Sequence, residues 1–358
     1  MTLYPNLIKE ALLTVRYPGN GKNIIENGML EDDIHIDGMK VSFSLIFPKT
    51  KDPFMKSLVK AAEAAIHTYV DKEVEVTINT KTLTELPPEP EKLLPQVKNI
   101  IAVASGKGGV GKSTVAANLA IGLTRMGYRV GLLDADIFGP SIPKMFHVEE
   151  ARPYAEEVNG KDMIVPVEKY GVKMLSIGFF VNPDQATLWR GGMASNAIKQ
   201  LIGDALWGEL DYLVIDTPPG TSDIHLTLIQ NIDITGAVIV STPQQVALAD
   251  ARKGINMYMN EKVNVPILGL VENMAWFTPA QHPQEKYFIF GQEGCKQLAE
   301  ELNVPLLAQI PLVQDICERG DNGEPAVMDP ASTAGMAFMQ LVAKVTTQTD
   351  RLNISAHN

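Results

Sequence analysis

The sequence predicts an α/β protein, a mostly parallel sheet flanked by helices with a small α+β domain in front of it. Three observations carry that expectation. From Val97 onward, short apolar runs alternate with helical segments, the pattern left by parallel strands joined through crossover helices. The first of those runs leads straight into a glycine- and lysine-rich loop at 106–114, and then into a helix. Ahead of both, Pro87, Pro88, Pro90 and Pro95 mark a boundary, because closely spaced prolines resist helix and sheet and favour an extended spacer.

Residues 1–80 read as the small domain. A polar turn through Asp37 and Gly38 precedes Val41, Phe43 and Leu45, which alternate with Ser42 and Ser44 as in a half-buried strand. Leu58, Ala62, Ala65, Ile66 and Tyr69 fall on one helical face, and residues 74–78 alternate again as a closing strand. Residues 81–96 form the linker and 97–347 the large domain. Its strands are expected at 99–104, 129–134, 212–216, 237–241 and 267–272. Residues 348–358 read as a polar tail that frays.

Composition narrows the partners. With 358 residues, 45% apolar and 20% charged, the chain has ample material for one large core and one small one. A net charge of −11 speaks against a nucleic-acid partner, whose phosphates call for clustered Lys and Arg. No apolar run reaches the roughly 20 residues that span a bilayer, so no membrane partner is expected. The first 20 residues lack the basic start, apolar core and cleavage site of a signal peptide. Two cysteines make no disulfide framework. A cytoplasmic location is expected.

The loop reads Gly106-Lys107-Gly108-Gly109-Val110-Gly111-Lys112-Ser113-Thr114, and Val115, Leu119, Leu123 and Met126 stripe the helix beyond it. This is a phosphate loop in its proper context, after a strand and before a helix. Glycines let backbone N–H groups face phosphate oxygens, and the helix N-terminus adds partial positive charge. Lys112 is placed to reach the β- and γ-phosphates of ATP, Ser113 to ligate Mg²⁺, and Thr114 to contact the α-phosphate. Lys107 is a second lysine beyond what one triphosphate needs from one chain. GKGGVGKST resembles the deviant Walker A motif of dimeric P-loop ATPases. That resemblance implies a homodimer in which Lys107 crosses to the partner's nucleotide, a cation in trans comparable to an arginine finger worth roughly 10³–10⁵ in rate.

Further elements follow from the same resemblance. Asp134 and Asp136 end the second strand, on the sheet edge where ligands bind. Asp136 is expected to orient the attacking water, while Asp134 supports either the Mg²⁺ water shell or the loop itself. Asp216-Thr217-Pro218-Pro219-Gly220 fits a Walker B strand and switch II turn, with Asp216 on Mg²⁺ through water and the Gly220 N–H on the γ-phosphate. Asn273 takes the position of the asparagine that lies against adenine, and Pro311 that of the segment covering the base.

The stretches DADIFGPSIPKM, DYLVIDTPPGTSDIHLTL, STPQQVALADARKG, VENMAWF and the closing GDNGEPAV extend the likeness. Over nearly its whole length the chain resembles the Mrp family of nucleotide-binding iron–sulfur cluster carriers, and its first 80 residues resemble the iron–sulfur-assembly domain often fused ahead of them. The resemblance implies an ATPase that binds clusters and passes them to apoproteins. Two departures stand out. The family's usual cysteine after the second strand of the small domain is absent, and so is the Cys-x-x-Cys pair expected after VENMAWF, where Pro279 and His282 fall instead. Clusters need soft thiolate ligands. Cys295 and Cys317 remain, able to offer four thiolates per homodimer, although free cysteine is equally a small buried apolar residue. Three functions follow: a cluster carrier, a nucleotide-gated partner-binding module without its own cluster, or an ATPase that positions membrane or DNA cargo.

Overall fold

A computed structural model describes residues 3–49, 52–82, 92–180, 191–279, 282 and 284–356. The chain divides into two compact units on either side of Pro90.

The first unit comprises α1 (Pro5–Leu12), β1 (His35–Asp37), β2 (Lys40–Phe47), α2 (Met55–Tyr69) and β3 (Glu75–Thr82). Strand β2 is central, antiparallel to β1 and parallel to β3. Its Val41, Phe43 and Leu45 meet Ile8 and Leu12 of α1 and Leu58, Ala62 and Ile66 of α2 in one apolar core. Tyr69, expected on that stripe, is 61% exposed. It is the last residue of α2, and no further turn covers its ring. Strand β3 continues past the expected end at residue 78, so the linker begins later than its composition suggests. Residues 83–91, most of that linker, lie outside the described residues.

The second unit runs β4 (Val97–Ser105), α3 (Lys112–Arg125), β5 (Val130–Asp134), α4 (Ile142–Met145), β6 (Tyr154–Val158), β7 (Lys161–Val165), β8 (Val167–Lys169) and β9 (Val172–Ser176). It continues with α5 (Gly191–Gly203), β10 (Leu210–Asp216), α6 (Asp223–Asn231), β11 (Gly236–Ser241), α7 (Gln245–Met259), β12 (Ile267–Glu272), α8 (Gly294–Leu302), β13 (Leu306–Gln309), α9 (Gln314–Asp321) and α10 (Thr333–Ala356). Eight strands form one sheet in the order β13-β12-β11-β4-β10-β5-β9-β8, parallel except for β8 against β9. Strand β4 is apolar on both faces because it is buried on both. Ile101 and Val103 pack toward α3 and α10, and Ala102 and Ala104 toward α7 and α8. From β4 the chain crosses first to the β5 side and later to the β11 side. The carboxyl ends of the central strands therefore frame a crevice at the switch point.

All five strands expected from sequence are present with ends shifted by two residues or fewer. The β6–β7 hairpin, β8, β9 and β13 are additional. They are short, and although β9 and β13 bury Val172, Met174, Leu175 and Leu307, runs this brief carry little periodic signal. The expected frayed tail is a correction: α10 continues as helix to Ala356. Val345 and Thr349 are fully buried there, and Asn353 Nδ2 donates to Asn99 Oδ1 at 3.0 Å. Polar composition concealed a helix whose inner stripe is partly threonine. No described helix is long and apolar enough to cross a membrane.

Candidate functional site

The crevice is built on the loop between β4 and α3. Gly111 caps α3 at its N-terminus with φ 84°, and a Cβ there would lie 2.1 Å from Asn273 Nδ2. That nitrogen donates to the Val110 carbonyl at 2.8 Å. Asn273 thus braces the loop from the end of β12 while also lining the cavity beside it. Gly106 is pressed against α7, where an added Cβ would come within 2.1 Å of the Asp250 carbonyl carbon. Gly108 and Gly109 face open space. Val110 is buried beneath the loop, and the Ser105 hydroxyl donates to the Lys107 carbonyl at 3.0 Å. Lys107 is half-buried and its ammonium makes no ion pair among the described residues.

Lys112 behaves differently. It is 6% exposed, with Nζ 2.5 Å from Asp216 Oδ1, 3.6 Å from Asp136 Oδ2 and 3.4 Å from the Ser113 hydroxyl. One ammonium therefore faces the carboxylates of two neighbouring strand ends. Asp134 stands beside Asp216 in register. Its carboxylate accepts the Asp136 N–H at 3.2 Å, the Ile142 N–H at 3.2 Å and the Ser176 hydroxyl at 2.9 Å. Of the two roles open to Asp134, the geometry is that of a loop organiser, since both its oxygens are engaged in holding residues 136–142. Asp216 differs: its Oδ2 is buried and has no partner among the described residues. Burial raises the Asp136 and Asp216 carboxyls above the usual range, opposed in both by the Lys112 charge. Burial, then the Asp216 charge, pushes Asp134 up to about 7.

The turn after Asp216 is tied back to β4. Thr217 N–H and hydroxyl both donate to the Val103 carbonyl, and the Gly220 N–H donates to the Ser105 carbonyl at 2.8 Å. The Gly220 donor expected for the γ-phosphate is thus already bonded, and reaching a phosphate requires the turn to lift. Behind it, the buried His225 accepts the Ser222 N–H through Nδ1 at 3.1 Å. Its proton therefore sits on Nε2, which has no partner among the described residues. Burial, followed by the Lys112 charge, pulls this imidazole down to about 4.

These shifts have opposite consequences for stability. Asp134 has a folded pKa above its unfolded value, so its contribution is full below about pH 4 and declines as pH rises toward 7. His225 has a depressed folded pKa, so its contribution is full above about pH 6.5 and declines as pH falls toward 4. Between pH 5 and 6.5 the two slopes cancel. In nucleotide-free protein, Asp134→Asn should make the slope of stability with pH more positive than in wild type, and His225→Asn, which keeps an acceptor for Ser222, more negative. Each change of slope is bounded by about 1.4 kcal/mol per pH unit, the value for one proton, and is read in denaturant titrations. Identical pH profiles for both variants and wild type would refute these assignments.

Two cavities meet at the loop. One of about 220 Å³ is lined by Lys107, Gly108, Gly109, Lys112, Ser113, Asp136 and Pro219, with two lysines and open glycine backbone suited to an anion. The second, of about 320 Å³, is lined by Thr114, Asn273, Met274, Pro311, Leu312 and Ile316, with apolar walls suited to a base. The structure does not bring the two cysteines together. Cys295 is fully buried, its N–H donating to Glu272 at 2.7 Å and its sulfur 3.8 Å from the Thr242 carbonyl. Burial, then the Glu272 charge, pushes this thiol up. Cys295 as a cluster ligand is therefore a correction: on α8 it shares one buried face with Leu298 and Ala299, and that face turns its thiol into the core. Cys317 is exposed on α9, at the rim of the second cavity. Among the described residues, no three His, Cys, Asp or Glu side chains group to hold a metal. Sequence reasoning missed Ser141, Ser176 and His225 around the site. Ser141 and His225 lie within segments already notable, yet only the folded surroundings disclose them: a buried hydroxyl without a partner among the described residues in one, a ring bonded to Ser222 in the other.

Comparison with known proteins places this geometry. Residues 96–346 match the family model described as NUBPL iron-transfer P-loop NTPase, and residues 6–78 match that of an iron–sulfur cluster assembly protein. An iron–sulfur cluster carrier protein from Synechocystis is 43% identical over 345 residues, 94% of this chain and 96% of the relative. The iron–sulfur cluster transfer protein NUBPL from Dictyostelium discoideum is 46% identical over 259 residues, 72% of this chain and 78% of the relative. Among solved structures, the nucleotide-binding protein from Archaeoglobus fulgidus in complex with ADP is 39% identical with a TM-score of 0.56, covering 64% of this chain and 88% of that one. With a phosphate loop at the switch point of a parallel sheet and a family match spanning most of its length, the chain belongs to the NUBPL iron-transfer P-loop NTPases.

Proposed function

We propose that this protein is an ATP-hydrolysing iron–sulfur cluster carrier that works as a homodimer. The observation that carries the reading is the 43% identity running through both units to a cluster carrier of matching length. ATP would lie with its base between Met274 and Pro311 and its phosphates along residues 106–114. Lys112 would then leave the acids and turn to the phosphates. The Asp216 oxygen without a partner and the Ser113 hydroxyl are donors fitted to Mg²⁺, which binds through one or two carboxylates plus substrate phosphates. When bound, that ion would neutralise charge developing on the phosphates. Asp136, held near the phosphate end by the Asp134 scaffold, would orient water. Lys107, without a partner acid in its own subunit among the described residues, is free to reach the nucleotide of a second copy.

The cluster is cargo. With Cys295 sealed in the core, Cys317 is the thiol left to meet it. A second reading, a nucleotide-gated module that recruits apoproteins without a cluster of its own, is favoured by one observation. The segment after Phe277 closes without cysteine, through paired Phe277 and Tyr287 backbone bonds of 2.8 Å each. Iron and acid-labile sulfide measured on protein reconstituted without oxygen separates the two. The carrier reading expects both to be retained, unchanged in Cys295→Ala and lost in Cys317→Ala. Wild type that holds neither iron nor sulfide selects the second reading.

A further inference from the structure

Ser141 opens the short helix α4 in the N-cap position, yet its side chain makes no cap hydrogen bond. Backbone and sequence together explain why: Ser141 sits at φ −116°, ψ −16°, in the helical region rather than the extended one from which an N-cap oxygen reaches the helix's N–H groups. An N-cap serine normally accepts an N–H from the second or third helical residue. The second residue here is Pro143, which has no N–H. The Ile142 N–H just before it is already given to Asp134 Oδ2 at 3.2 Å. Ser141 Oγ is left buried and without any partner among the described residues. A buried hydroxyl without a partner is costly, and native structures retain few of them.

Its position supplies a purpose. Ser141 borders both the cavity that holds Lys112 and Asp136 and the one lined by Met274 and Pro311, and Thr114 is shared in the same way. A nucleotide laid through both cavities puts at this junction the phosphate that joins ribose to the rest of the chain. We propose that Ser141 is a nucleotide-binding residue whose hydroxyl donates to a non-bridging oxygen of the α-phosphate. The inference rests on the reading of these cavities as a nucleotide site. It adds a coupling: the loop carrying Asp136, already held by Asp134 at Asp136 and Ile142, gains a further tie to the nucleotide at Ser141. Any ligand with an α-phosphate would therefore help to set Asp136, before the γ-phosphate is sensed.

The test is ADP and ATP titration of the full chain by calorimetry, with thermal unfolding followed with and without ADP. Ser141→Ala should weaken ADP and ATP alike by about tenfold, the scale of one hydrogen bond to a charged acceptor. Ser141→Cys, alike in shape though slightly larger and only a weak donor, should bind as weakly. Without nucleotide, both variants should unfold at or above the wild-type temperature, since each removes a hydroxyl that has no partner, while the upward shift produced by ADP shrinks. A purely structural serine would instead lower the nucleotide-free midpoint. Variants that bind ADP and ATP as wild type does overturn the assignment, and so does a loss confined to ATP, which would move the hydroxyl away from the α-phosphate. Wild type that binds no ADP at all would sink the nucleotide site itself, a result distinct from failure at Ser141.

Discussion

Lys112→Ala is expected to weaken Mg·ATP binding by about a hundredfold or more, the scale of losing one partner of a buried charge contact. The same substitution should destabilise the nucleotide-free protein by about 3–5 kcal/mol near pH 8, because it strands the buried Asp216 and its neighbour Asp136 without their cation. The sign with pH follows from the direction of the shifts. Burial already raises both carboxyls in the folded state, and loss of the ammonium raises them further. A raised folded pKa gives stability that is complete below the unfolded pKa and lost as pH climbs through the folded one. The deficit against wild type should therefore be largest in alkali and close as pH falls toward 4. Calorimetric titration with Mg·ATP and denaturant unfolding at several pH values measure the two arms. A variant that keeps its affinity, or whose deficit stays constant with pH, would contradict the arrangement described.

The second large effect is expected at Gly106. Gly106→Ala forces a methyl carbon onto the Asp250–Ala251 backbone, a clash that no rotamer can relieve because its partner is main chain. Either α7 or the phosphate loop must move, at a cost of about 1–3 kcal/mol or more in stability. Nucleotide affinity should fall with it, since loop and phosphate contacts are the same atoms. Gly108→Ala is the internal control. Nothing lies within 4 Å of an added Cβ there, so stability without nucleotide should match wild type within about 0.5 kcal/mol. Equal stabilities for the two variants would show that the close approach of α7 to the loop is not present in solution.

Gly106 also illustrates how the site was legible. Its place at the head of GKGGVGKST announces a phosphate loop, because the motif is local: strand, glycines, lysine and helix are contiguous in sequence. The strand-end acids Asp134, Asp136 and Asp216 were legible for a related reason, since a parallel strand delivers its carboxyl end to one edge of the sheet. What Gly106 approaches was not legible. Asp250 lies far along the chain, and only the packing of α7 against β4 brings it near. The same holds for Asn273, whose amide braces Val110 across a long sequence separation. Ser141 was visible as a residue in DIFGPS, but its lack of a partner depends on Asp134 having taken the neighbouring N–H.

The cysteines show the sharpest division. Absence of Cys-x-x-Cys is a statement about order along the chain, and reading the residues settles it. Whether Cys295 could stand in is a statement about solvent. Its helix turns that thiol into the core against Thr242 and Glu272, and Cys317 outward on α9. By itself the sequence determined the α/β class, the phosphate loop and the acids that face it, all of which follow from short-range periodicity and contiguous motifs. Only the tertiary structure decided which thiol is reachable, which carboxylate oxygen is left without a partner and which hydroxyl waits at the junction of two cavities. Hydrogen-bond satisfaction, and which groups a buried side chain meets, are set by residues distant in sequence, and no local pattern encodes them.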